Sequence, residues 1–463
     1  MDLKIRTKKK RLTKWLILIP ILISLLVVFL HMEREKPSIL SDNFSGSINT
    51  SEELLISFQD NKRGLKKIWI SLLKDGKKHV LYEKSYPHAI FIGRKAVHED
   101  LISLKIEPKR FGITDGKAIL QIVALDNSWS NWWKGNKTQI EREVIVDTKP
   151  PEITILSRNH SIIQGGACLV VYKVSEPCSE SGVYAGENFF PGYSGYFEDS
   201  DILITLFALN YSQGHGTNVY IRAKDFTGND SKLALPCYIR EKTFNKDIIN
   251  ISDSFLKYTM PKFKVDTLDN SKEPLLAKFL EINSNLRKAN FKNIEKIVTD
   301  TAKTFYWKGS FLRLPKSACR ANFGDMREYK YRGETIDFQT HLGIDLASTA
   351  RSRVPASNKG KVVFNSMLGI YGKTVIIDHG FGLFSMYAHL SSHKVKSGQI
   401  VAKGDIIGNT GITGLTGGDH LHFSILINNT FVNPREWWDK RWVMNNITSK
   451  LEKIESIIKN GSK

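Results

Sequence analysis

The chain has 463 residues, is 41% hydrophobic and carries a formal net charge of +20. That length exceeds what one ordinary core organises and suggests about three domains, and the apolar content excludes a wholly disordered chain. A charge of this sign suits nucleic acid or an anionic surface; no nucleic-acid motif occurs, so nucleic acid is excluded as a partner and an anionic wall or membrane surface is the better match.

Residues 1–14 hold seven basic side chains, Lys4, Arg6, Lys8, Lys9, Lys10, Arg11 and Lys14, and read as a basic cytoplasmic tail. The uncharged run from Trp15 to Leu30 would span about 24 Å as a helix, and with His31 and Met32 it predicts a single transmembrane anchor over 15–32. A cleavable signal peptide is the competing reading. The long apolar run and the absence of a small-residue cleavage pair before Glu33-Arg34-Glu35-Lys36 favour the anchor. By the positive-inside rule the N-terminus is then cytoplasmic and the rest is exported, a single-pass inner-membrane protein with its body in the periplasm.

From 41 to 148, short alternating apolar runs broken by turn signals predict a β-sandwich; Leu54-Leu55-Ile56-Ser57-Phe58 and the run Ala118 to Leu125 are examples. Asp147-Thr148-Lys149-Pro150-Pro151 punctuates the chain, and a second series of strands fills 149–245. The boundary VDTKPPEITIL and the paired elements VALDNSWSN and RAKDFTGND resemble bacterial immunoglobulin-like repeats, which implies two sequential immunoglobulin-like sandwiches acting as spacer, wall-binding module or cover. Cys168, Cys178 and Cys237 fall in the second, so a disulfide inside it is expected, with Cys319 elsewhere.

A helical connector is expected over 246–310. Leu275, Phe279, Ile282 and Leu286 make an amphipathic stripe with Pro274 in its first turn. A second stripe, Ile447, Leu451, Ile454 and Ile458, predicts a C-terminal helix over 441–463.

Between them, 311–440 holds half of the histidines. His341 and Asp345 of His341-Leu342-Gly343-Ile344-Asp345, with one histidine of His420-Leu421-His422, supply two imidazoles and a carboxylate, the donor set of a catalytic zinc site with a position left for water. Residues two apart on a strand share a face, so a strand over 419–427 points His420 and His422 into one cavity, one for metal and one for proton chemistry. His389 closes an apolar strand pattern, Leu383 to His389, and can reach the same rim as a second acid, base or electrostatic stabiliser. His379 is expected at a turn, bonded to its own backbone, and His393 in solvent.

The strings HLGIDLA, VIIDHGFGLFSMYAHL, VKSGQIVAKGDIIGNTGITG and GGDHLHF resemble, in order and spacing, the lysostaphin/LytM-type zinc metallopeptidases of peptidoglycan. The resemblance implies an antiparallel β domain holding one Zn2+ on His341, Asp345 and His422, with His389 and His420 as catalytic groups. It implies amide hydrolysis by a metal-activated water with no covalent enzyme intermediate, and peptidoglycan as the partner. The expected molecule is therefore mainly β: a transmembrane helix, two sandwiches, a helical connector and a metallopeptidase domain acting as a cell-wall endopeptidase. A non-catalytic, wall-binding activator of other hydrolases and a zinc peptidase of protein substrates are the alternatives, and protein regulators are compatible with either.

Overall fold

The computed structural model describes residues 18–29, 32, 34–41, 46–50, 52–87, 96–265 and 273–461. The basic tail lies outside these residues. The expected membrane anchor is overturned: among the described residues no helix is long and apolar enough to cross a membrane. The helix described there covers residues 18–29, about 18 Å at 1.5 Å per residue against a hydrocarbon core of about 30 Å.

Two compact units divide the chain, one spanning Met1–Pro150 and Phe226–Asn229, the other Pro151–Asp225 and Asp230–Lys463. In the first, a five-stranded sheet runs Ser47–Ile48, Lys137–Val146, Gly116–Asp126, Leu65–Lys74, Lys77–Ser85, and a three-stranded sheet runs Ser38–Ser41, Glu52–Gln59, Glu99–Ile106. Both sheets turn one face to a shared core that includes Ile56, Phe58, Ile70 and Ile122. Burial alternates along Glu99–Ile106 and the first half of Lys137–Val146, the signature of strands with one wet face.

The second unit begins with another pair of sheets. One is Ile202–Ala208, Ala167–Val174, Ile153–Ile155; the other is Asn188–Pro191, Cys178–Ala185, Val219–Asp225, Asp230–Ala234. Here Ile202–Ala208 is buried at every position and Ala167–Val174 at all but one. Both of their faces are covered, and the core they form is continuous with that of the C-terminal domain. All four cysteines are free thiols, Cys168 fully buried.

The C-terminal domain is built on an eight-stranded sheet. Its order is Ala318–Ala321, Ile344–Ala347, Leu421–Ile427, Leu383–Leu390, Lys373–Gly380, Gly360–Met367, Ile400–Val401, with Thr430–Val432 pairing beside Leu421–Ile427. All of these pairings are antiparallel. The two central strands, Leu383–Leu390 and Leu421–Ile427, are buried throughout.

The connector differs from a purely helical one. Lys246–Ile251 is a strand that pairs in parallel with Met326–Tyr331, which in turn pairs with Glu334–Thr340. The helix begins at Pro274, passes through a π turn at Ile282–Leu286 and continues over Arg287–Ile297. Phe279, Ile282 and Ile294 are buried, so the stripe packs inward, with Leu275 and Leu286 at its margin. The C-terminal helix Ser449–Gly461 likewise buries Leu451 and Ile454, continuing from buried Ile447.

Candidate active site

Sheet register assembles the site. Asp345 on Ile344–Ala347 pairs directly with His422 on Leu421–Ile427, and His422 pairs with Ala388 on Leu383–Leu390. Directly paired residues share a face, so Asp345 and His422 project together. His341 sits just before Ile344, in the loop that follows Glu334–Thr340.

Three donor atoms converge. His422 Nδ1 lies 2.9 Å and His341 Nε2 3.0 Å from Asp345 Oδ1, and the two nitrogens are 3.0 Å apart. All three residues are buried. Second partners fix which nitrogen of each ring carries its proton. His341 Nδ1 donates to the Asn322 carbonyl at 2.8 Å, which leaves Nε2 as a lone pair. The Ser424 hydroxyl donates to the Leu342 carbonyl at 2.8 Å, so toward His422 Nε2, at 3.1 Å, it accepts. Nδ1 of His422 is therefore the free lone pair. Two lone pairs and a carboxylate oxygen facing one another in a buried pocket repel unless a cation sits among them, and this donor set suits zinc.

Gly343 belongs to the same construction. A Cβ at this position would lie 2.6 Å from His422 Nε2 and from Ser424 Oγ, so only glycine lets the ring approach the loop.

Asp345 stays ionised. Burial pushes its carboxyl up, but His341, His420 and His422 outweigh that and hold it well below the usual carboxylate range. Its outer oxygen, Oδ2, accepts from Arg327 Nη2 at 3.0 Å. Arg327 thereby leaves Oδ1 turned to the two histidines. Burial pushes His422 down to about 4.

His389 and His420 flank this group. Their ring centroids are 4.9 Å apart, and His389 is 5.9 Å from His422. On an unbroken strand His389 would face away from its neighbour Ala388, and hence away from His422. The pairing with Lys373–Gly380 shifts register between Lys373 and Val375, opposite this residue, and His389 adopts φ 61°. That bulge in the left-handed region re-aims the ring into the site. His389 Nδ1 donates to the Thr413 carbonyl at 2.8 Å, leaving Nε2 free, and burial first, then His420 and His422, hold it well below its ordinary value. His420 Nδ1 lies 2.9 Å from the Gly418 carbonyl, with Nε2 3.4 Å from Asp345 Oδ1. Burial lowers its pKa, but the Asp345 hydrogen bond and charge outweigh that and raise it.

The other two histidines of the segment stand apart. His379 lies within the strand Lys373–Gly380 rather than at a turn, fully buried between the Lys359 carbonyl at 2.8 Å and Ser385 Oγ at 2.7 Å, and burial pushes it down to about 4. His393 is half-buried in the short strand Ser392–His393. Ser424 was within reach of sequence reasoning, since it continues the two-residue period of His420 and His422; Arg327 and Tyr371 carried no local signal.

An antiparallel sheet gathers an HxxxD pair, an HxH pair and a further histidine around one buried donor cluster that could hold a metal ion. Residues 339–434 match the family model of peptidase family M23, and the C-terminal part of this chain is an M23 domain. The DD-carboxypeptidase/endopeptidase Mpg of Neisseria meningitidis serogroup B is 40% identical over 97 residues, 21% of this chain and 22% of that protein. The peptidoglycan DD-endopeptidase ShyC of Vibrio cholerae serotype O1 is 33% identical over 130 residues, 28% of this chain and 29% of that one. The catalytic domain of the antimicrobial peptidase lysostaphin from Staphylococcus simulans is 27% identical, covering 28% of this chain and 98% of its own, with a TM-score of 0.25. The chain thus spans less than a third of the length of the curated relatives it matches.

Proposed function

We propose that the protein is a zinc-dependent endopeptidase that hydrolyses peptide bonds of peptidoglycan outside the cytoplasm, where that polymer lies. The observation that carries the reading is the convergence of the His341 Nε2, Asp345 Oδ1 and His422 Nδ1 lone pairs, each oriented by a partner on its far side. Similarity to peptidoglycan DD-endopeptidases supports the substrate class. Zinc, when bound there, supplies Lewis acidity toward the scissile carbonyl and lowers the pKa of a coordinated water.

The chain's own residues supply the rest. His389 keeps Nε2 unprotonated because its other nitrogen is tied to Thr413, so it accepts a proton from the attacking water. His420 is held nearer the protonated state by Asp345, so it donates to the developing oxyanion or the leaving nitrogen. Arg327 restrains the Asp345 carboxylate, and Ser424 the His422 ring, against rotation. Purified zinc-loaded protein should release peptides from crosslinked peptidoglycan faster than from casein. Equal or greater activity on casein would overturn the substrate assignment, and no zinc-dependent release from either would overturn the enzyme.

A further inference from the structure

The donor cluster opens into a cavity of about 460 Å³ to which the connector contributes Phe255, Phe279 and Arg287. Asp345 is the one acidic residue of its lining, and its outer oxygen is occupied by Arg327. Arg287 is placed differently. Its Nε donates to the Asn283 carbonyl at 3.0 Å and its Nη2 to Asn283 Oδ1 at 2.7 Å, both neutral acceptors. No carboxylate lies within 4.0 Å of it among the described residues. The fork is also held in place: Asn283 is fully buried and donates from Nδ2 to Asp337 Oδ2 at 2.7 Å. Of the five N–H donors of a guanidinium, about three remain for a ligand. A half-buried cation without a counter-ion, with its orientation set by a buried amide, is costly unless an anion completes it.

Arg287 and the donor cluster line one cavity. Tyr371 lines the same cavity, its ring 5.5 Å from that of His422, and its phenol feels the charges of both Arg287 and Asp345. The backbone adds a local reason: Arg287 follows the π turn Ile282–Leu286, and such an insertion rotates the residues beyond it relative to the preceding stripe. Phe279, buried in the core, and Arg287, two turns on, both line the cavity.

We propose that Arg287 is a specificity residue that binds a free carboxylate of the substrate within one residue of the scissile amide. The inference rests on the endopeptidase reading and narrows it. Stem-peptide bonds flanked by an α-carboxylate are selected, whereas bridges of uncharged glycine residues, which present no such group beside the amide, are disfavoured.

The test uses paired synthetic peptides that differ only in a carboxylate or a carboxamide at that position, each also made as a reduced-amide analogue that resists cleavage. Calorimetry on the zinc-loaded full chain should give tighter binding of the carboxylate analogue by about tenfold or more, the scale of a charge-assisted hydrogen bond. In R287Q the ratio should fall to near one, and in R287K it should be partly kept. Parity in the wild-type protein, or an unchanged ratio in R287Q, overturns the proposal; should R287Q fail to fold, the wild-type ratio and R287K decide. Hydrolysis of the parent amides is read alongside. Carboxylate-selective binding without any hydrolysis would sink the endopeptidase reading while sustaining the subsite, and hydrolysis indifferent to the carboxylate would do the reverse.

Discussion

The two sheet pairs that precede the peptidase domain look alike in sequence and are organised differently. The first, within Met1–Pro150, encloses its own core, and strands such as Glu99–Ile106 alternate between buried and exposed positions. In the second, Ala167–Val174 and Ile202–Ala208 are covered on both faces, and their core runs on into that of the peptidase. Alternation marks a sheet complete with one wet face; an unbroken apolar run marks one that needs a further layer. The second pair is accordingly part of the fold that carries the M23 domain, while the first is a unit in its own right.

The largest expected effect lies at the far end of that shared fold. H422A removes one of three converging donors, so zinc retention should be lost and peptidoglycan hydrolysis should fall by about a thousandfold or more, several kcal/mol of transition-state stabilisation at about 1.4 kcal/mol per decade. Elemental analysis and the release assay check it. In the first sandwich, F58A deletes a fully buried ring and should destabilise that unit by about 3–5 kcal/mol. Calorimetry should then show an early transition, with hydrolysis by the native-state protein within about twofold of wild type. Joint loss of both units would break the comparison.

A smaller effect is expected one residue pair away from the cluster. S424A leaves His422 Nε2 without its acceptor, and losing such a partner typically costs about 10–100-fold in metal affinity; competition with a chelator measures it. G343A should act through the same ring, because its Cβ would meet His422.

The subtlest prediction concerns the seam within the second unit. Glu436 Oε2 accepts from the Ala167 amide at 3.0 Å, and burial pushes its carboxyl from an ordinary 4.5 up to about 8. Between those values the folded chain holds a proton that the unfolded chain has released. The stabilisation is therefore fully present below about pH 4.5, declines as pH rises and is lost above about pH 8. E436Q keeps the acceptor and should flatten that slope in denaturant titrations of the second unit; an unaltered slope would show that the seam is not where the proton is held.

Much of the site was legible because its signals are local. HxxxD and HxH place donors by spacing alone, and the strand through His422 starts at Leu421, two residues later than the 419 start expected. His389 was found as a strand end, yet its aim depends on a bulge that no periodicity announces. Arg327 and Arg287 were invisible for a different reason. Each acts across the fold, Arg327 from a strand whose parallel partner, Lys246–Ile251, lies some eighty residues earlier. That same pairing turned the start of an expected helical connector into sheet. The membrane anchor is the opposite case: the apolar run predicts a span that no helix among the described residues is long and apolar enough to make.

The central claim is that one zinc ion sits among His341, Asp345 and His422, and anomalous diffraction at the zinc absorption edge tests it most directly. The account predicts a single strong peak about 2.0–2.2 Å from His341 Nε2, Asp345 Oδ1 and His422 Nδ1. No peak in zinc-loaded crystals, or one coordinated by other residues, would contradict it.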